Sequence, residues 1–209
     1  MAKIPTQSAA ERFNEVCSIR IELQDSDPLI WRQVEVPTSM TLKVLHDAIQ
    51  IVMGWQDCHL WEFTIGDKRY GLSSDDDWGA TPLANAAKVR LRDVLRQPTT
   101  EISYTYDFGD NWVHLLTATD IRQGKPGGFY PHYVAGERNG PPEDCGGISG
   151  FYSKLKALGD PKRRDHRNIA AWMGDYDAAK VATVWIRFMI SGIASRRHAG
   201  WGTWLKRKG

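Results

Sequence analysis

The sequence predicts an α+β fold: a mixed β-sheet built from hairpins, opening on a β-grasp-like N-terminal unit, with helices in the C-terminal part. Three observations lead there. Apolar residues alternate with a period of two around 17–23 and again around 102–108. Between them, at 42–52, the apolar period lengthens to that of a helix. Pairs such as Gly66-Asp67 then punctuate alternating runs in the way tight hairpins require. The 209 residues suit one domain, placed at 16–195 between a flexible leader at 1–15 and a basic tail at 196–209.

The elements follow in order. Cys17, Ile19, Ile21 and Leu23 share one face of a half-buried strand, and the "DSDP" turn hands over to a returning strand stopped by Pro37. Leu42, Leu45, Ile49 and Val52 then form a helical stripe, with Thr38, Ser39 or Thr41 to cap it and Gly54 beyond its end. "HLWEFTIGDKRYGL" reads as a hairpin, and "VRLRDVLR" as a short helix or strand. "EISYTYDFGDNWVHLLTAT" is a second hairpin. It places Ile102, Tyr104, Tyr106 and Phe108 on one face and Trp112, His114 and Leu116 on one face of the return strand, with Gly109 in the turn. Three helices follow. The first ends at Gly159, the second opens with Asp160 as cap and Pro161 in its first turn, and the third carries Val181, Val184, Trp185 and Phe188 as a stripe.

Composition narrows the function classes. With 42% hydrophobic and 25% charged residues the chain looks globular and soluble. The three cysteines, Cys17, Cys58 and Cys145, are too scattered for a disulfide framework. The start has no apolar signal segment and "VATVWIRFMISGIA" is too short to span a bilayer, so the cytoplasm is expected and no membrane partner. From residue 150 onward 13 Lys and Arg face 4 Asp and Glu, a net of +9, which leaves −7 for the first 149 residues. A basic end on an acidic body fits an anionic partner, or attraction between the two regions within or between subunits.

"YDFGDNWVH", at 106–114, contains the three letters of a kinase magnesium loop. A kinase would also need a glycine-rich loop, a strand lysine and a catalytic loop, none of which is present. The stretch does resemble the plasmid pRiA4b ORF-3-like family, together with "PLIWRQVEVP", "TLKVLHDAIQIVMGWQDCHLWEF", "GPPEDCGGISGF" and "LGDPKRRDH". The resemblance spans roughly 17–172. It implies a compact α+β fold, a bacterial or archaeal cytoplasm and association with mobile genetic elements. Four positions depart from the family pattern. Gly140 stands in place of a Cys, Arg163 of a His and Thr119 of a Glu, while Tyr176-Asp177-Ala178 replaces Phe-Asp-Pro.

Chemistry-bearing residues support three readings. In the first, a non-catalytic accessory protein binds nucleic acid through Lys162, Arg163, Arg164 and Arg167 at a helix N-terminus, and through Arg196, Arg197, Lys206, Arg207 and Lys208 in the tail. The second is a small hydrolase: Asp107, Asp110 and His114 would hold a metal at the hairpin end, or Cys145 in "GPPEDCGG" would act as a thiol nucleophile. The third is a protein-interaction module or homo-oligomer. The first is the expected one, with no cofactor and no metal, and with Asp107, Asp110 and His114 stabilising the turn. His114 is expected to hydrogen-bond Glu143 or Asp144. His46 is expected to be a packed, hydrogen-bonded core residue, and His59 to lie at an edge.

Overall fold

The computed structural model describes residues 15–72, 83–96, 99–183, 186–187, 189–190 and 192. Eight strands form one sheet: β1 (Glu15–Leu23), β2 (Trp31–Pro37), β3 (Trp61–Ile65), β4 (Lys68–Gly71), β5 (Ala84–Asn85), β6 (Thr100–Tyr106), β7 (Trp112–Gln123) and β8 (His132–Glu137). Their spatial order is β5-β4-β3-β6-β7-β1-β2-β8, antiparallel throughout except for the short parallel β4–β5 pair. Among the described residues four helices have defined bounds: α1 (Leu42–Met53), α2 (Leu91–Val94), α3 (Gly147–Leu158) and α4 (His166–Met173). The expected α+β class holds. Within it, β6 and β7 lie between the β3–β4 hairpin and the β1–β2 pair.

Helix α1 shows why the core sits where it does. Thr41 takes an extended backbone and its hydroxyl accepts the Val44 N–H, while Gly54 closes the other end at φ 88° and donates to Gln50 O. The stripe of Leu42, Leu45, Ile49 and Val52 is fully buried against the sheet. The facing strands contribute Ile19, Ile21, Val34, Val36, Ile102, Tyr104 and Leu116, all buried. Alternation also buries Arg32, which shares its face with Val34 and Val36. Its guanidinium donates to Val52 O at 2.7 Å, Trp31 O at 2.8 Å and Glu137 O at 2.9 Å. Val52 O belongs to the last turn of α1, where carbonyls lack a partner within the helix and a cation is favoured.

The C-terminal helices differ from expectation. Helix α3 begins at Gly147 and runs to the Gly159 cap, starting earlier than its apolar pattern shows. Helix α4 begins only at His166. Asp160 instead accepts the Lys162 N–H with its side chain and the Arg163 N–H with its carbonyl, which winds 160–165 into turns. The side chain of Arg163 is spent on Asp165 in a two-pronged pair. "PKRRDHR" is therefore not the first turn of a helix, and of its basic residues only Arg167 lies in one. Val184, Trp185 and Phe188 of the third expected helix lie outside the described residues, as does the tail from Arg196 to Lys208.

Candidate metal centre

The β3–β6 ladder pairs Trp61 with Tyr106 and continues one step further, where Asp107 N–H donates to Leu60 O at 2.9 Å. At that point strand β6 ends. Asp107 and Asn111 adopt left-handed φ values of 55° and 56°, which short polar side chains tolerate. These two residues perform the reversal that Gly109 was expected to supply. The break in alternation turns the Asp107 side chain inward and leaves Phe108 exposed. His59 is thereby brought beside Asp107 across the end of the ladder.

The loop at 140–147 closes over this end. A Cβ at Gly140 would stand 2.0 Å from Met53 O, and one at Gly147 2.5 Å from Asp110 O, so backbone packs directly on backbone at both ends. Trp55 Nε1 donates to Pro141 O, and Asp110 Oδ2 accepts the Gly146 N–H at 3.0 Å. Glu143 and Asp144 are left facing His59.

Three carboxylates approach His59 there. His59 Nε2 lies 3.0 Å from Asp144 Oδ1, 3.6 Å from Asp107 Oδ2 and 3.9 Å from Glu143 Oε2. Two donors each about 2.1 Å from one ion stand roughly 3.0 Å apart at a right angle, 3.4 Å at the tetrahedral angle and 4.2 Å when opposite. All three separations fall inside that range. Nε2 of His59 and Oε2 of Glu143 are shielded from water, yet neither has a hydrogen-bond partner among the described residues. Even the 3.0 Å approach of Asp144 lies outside hydrogen-bonding geometry. An unsatisfied buried nitrogen and an unsatisfied buried oxygen that meet are costly unless something joins them.

The remaining oxygens are tied down. Asp107 Oδ1 accepts the Gly109 N–H at 2.9 Å. Glu143 Oε1 accepts the Gln56 N–H at 2.8 Å and the Tyr106 hydroxyl at 3.0 Å. Each of these carboxylates thus has one anchored oxygen and one free to bind an ion, the arrangement by which outer groups orient ligands. The Asp107 and Glu143 side chains are 10% and 11% exposed, whereas Asp144 is 72% exposed, so the cluster opens to solvent on one side. Cys58 adjoins the group, and its thiol, Nε2 or Nδ1 of His59 and a Glu143 oxygen lie within 4.8 Å of one another.

Of Asp107, Asp110 and His114, only Asp107 reaches this point. Asp110 clamps the loop through Gly146. His114 lies within the core, its Nδ1 3.0 Å from Trp112 O and its ring edge-on to Trp55. It bonds neither Glu143 nor Asp144, because the alternation that buries Trp112 and Leu116 buries it too. Cys145 is likewise fully buried, and burial, reinforced by the charge of Asp110, pushes its thiol up to about 12. A nucleophilic thiolate at Cys145 is therefore unsupported.

His46 is the packed histidine expected, with Nδ1 2.8 Å from the Tyr104 hydroxyl, Nε2 2.8 Å from Asp57 Oδ1 and its ring stacked on Trp61. The neighbouring trio of His46, Asp47 and Asp57 already holds a cation, the Lys43 ammonium, 2.5 Å from Asp47 and 3.4 Å from Asp57. Sequence reasoning missed His59 as the residue that Asp107, Glu143 and Asp144 each approach. The adjacent Cys58-His59 pair, in a loop just before a strand, was the signal available.

A family model described as plasmid pRiA4b ORF-3-like protein matches residues 15–183. The chain is 34% identical over 169 residues to the uncharacterized protein y4hQ of Sinorhizobium fredii, covering 78% of this chain and 84% of that one. It also resembles the crystal structure of a protein of unknown function, MM3350 from Methanosarcina mazei Go1. The TM-score is 0.75 at 34% identity, over 80% of this chain and 95% of that chain. No helix among the described residues is long and apolar enough to cross a membrane.

Proposed function

The chain belongs to the plasmid pRiA4b ORF-3-like family, over a stretch that includes the whole His59 cluster, and from the geometry of that cluster we propose that it is a metal protein. It binds one divalent transition ion at His59, with carboxylate ligands drawn from Asp107 and Asp144 on one side of the imidazole and from Glu143 on the other. One imidazole with carboxylates suits zinc, manganese or iron better than calcium. The solvent side next to Asp144 gives the ion room for a water, so the chemistry supported is metal-assisted hydrolysis. The observation that carries this reading is the pair of buried, unpartnered atoms, His59 Nε2 and Glu143 Oε2, 3.9 Å apart.

Protein purified without added metal should hold about one equivalent of ion by elemental analysis, as expected for a single closed cluster of this kind. His59→Ala and Asp107→Ala should each lose it while keeping the native far-UV circular dichroism. Equal trace metal in native protein and both variants would overturn the reading.

A second reading keeps the chain as an accessory protein of a mobile genetic element that binds nucleic acid. Lys162, Arg164 and Arg167 favour it, since all three are exposed and carry no ion pair among the described residues. Affinity for duplex DNA should then fall steeply with salt, and replacing those three by Ala should flatten the slope by about 3 in log–log terms. An unchanged slope removes this surface from consideration.

A further inference from the structure

We infer that Cys58 supplies a thiolate ligand to the ion held by His59 and Glu143, so that the site selects zinc-like metals over manganese or magnesium. This rests on the metal reading above and deepens it. The cluster contains two overlapping donor sets that share His59: an oxygen-rich one with Asp107 and Asp144, and a sulfur-containing one with Cys58 and Glu143. In each set the donor atoms lie within 4.8 Å of one another. A thiolate in place of one oxygen donor favours a borderline-soft ion, whereas imidazole with carboxylates alone also accepts harder ions such as manganese.

Consecutive residues in a strand point to opposite faces, but Cys58 and His59 lie in the irregular segment between α1 and β3. Asp57 enters it at φ 56°, and its amide and carboxylate are fixed to Gln50 and His46 on α1. The backbone N–H of Cys58 donates to the Tyr106 hydroxyl at 3.2 Å, and its sulfur lies 3.7 Å from that same oxygen. The hydroxyl in turn donates to Glu143 Oε1. One tyrosine thus holds the thiol and the carboxylate in register, a link between two donors that a bystander cysteine would not need. Cys58 is exposed, so an ion can reach it, whereas Cys17 and Cys145 are buried. Binding forms a metal–sulfur bond, breaks the S–H bond and releases the proton to buffer.

The test uses the full chain, stripped with a chelator and titrated with Co²⁺ as a spectroscopic substitute for zinc. Native protein should show a thiolate-to-cobalt charge-transfer band in the near ultraviolet. Cys58→Ser should lose that band but keep the visible d–d bands, since His59 and the carboxylates remain. Competition titrations should give a zinc affinity at least about tenfold weaker in the variant, with manganese affinity changed less than about twofold. Cobalt binding without the charge-transfer band in native protein, or equal zinc affinity in the variant, overturns the role of Cys58 and leaves the metal site standing. No cobalt uptake by native protein removes both.

Discussion

Replacing Arg32 by Ala should lower the unfolding free energy by about 4 kcal/mol, and the melting temperature by roughly 10 °C. The residue is 1% exposed, and its donors go to three main-chain carbonyls and to no carboxylate. Truncation leaves the carbonyls of Trp31, Val52 and Glu137 without this donor and opens a cavity between β2, β8 and the end of α1. Burial lowers the guanidinium to about 10, against its ordinary value near 12.5, and the group still carries its charge at neutral pH. Arg32→Lys keeps the charge but not the fork, so its loss should be smaller. Urea denaturation at constant slope provides the measurement. A loss below about 1 kcal/mol for the alanine variant would mean that water takes over the three carbonyls.

Acid should weaken the fold well before its carboxylates are protonated. Burial holds the His114 imidazole down at about 4, with the charge of Arg32 a smaller contribution in the same direction. An unfolded chain would titrate this group near 6.5. Between those values the unfolded chain takes up a proton that the folded one refuses. Stability is therefore full above about pH 6.5, falls as pH drops and levels off near pH 4, a loss of roughly 3 kcal/mol. His46, also lowered chiefly by burial, adds to the loss with the same sign. Chemical denaturation at a series of pH values should show this slope, and His114→Phe should remove much of it. An unchanged slope in that variant would place the proton uptake elsewhere.

Much of the fold was legible because its signals are local. Period-two runs gave β1, β2 and both hairpins, and the Thr41–Gly54 caps framed α1. Strand order was not legible. Nothing between 15 and 71 announces that β6 and β7 will insert beside β1. The site suffered from the same limit. Asp107 stood out, but His59 and Glu143 come from segments far from it and from each other. The β3–β6 register and the docking of the 140–147 loop are what unite them. His114 was readable as a core residue, since it shares its strand face with Trp112 and Leu116, and ligand chemistry pulled attention from that simpler pattern.

The place of β1 within the sheet bears on how the chain is made. Synthesised ahead of both its neighbours in the sheet, it can pair at once with β2, which follows within a few residues. Its other edge waits for β7, where Ile19 meets Ala118. About a hundred residues must therefore be synthesised before that edge is covered, and until then it is a template for any strand nearby. The part of the apolar face of α1 that packs with Ile102, Tyr104 and Leu116 waits equally long for β6 and β7. During this interval the growing polypeptide depends on holding factors, dilution or speed of translation. A message truncated before β7 should yield an aggregating or rapidly degraded fragment, never a smaller folded protein.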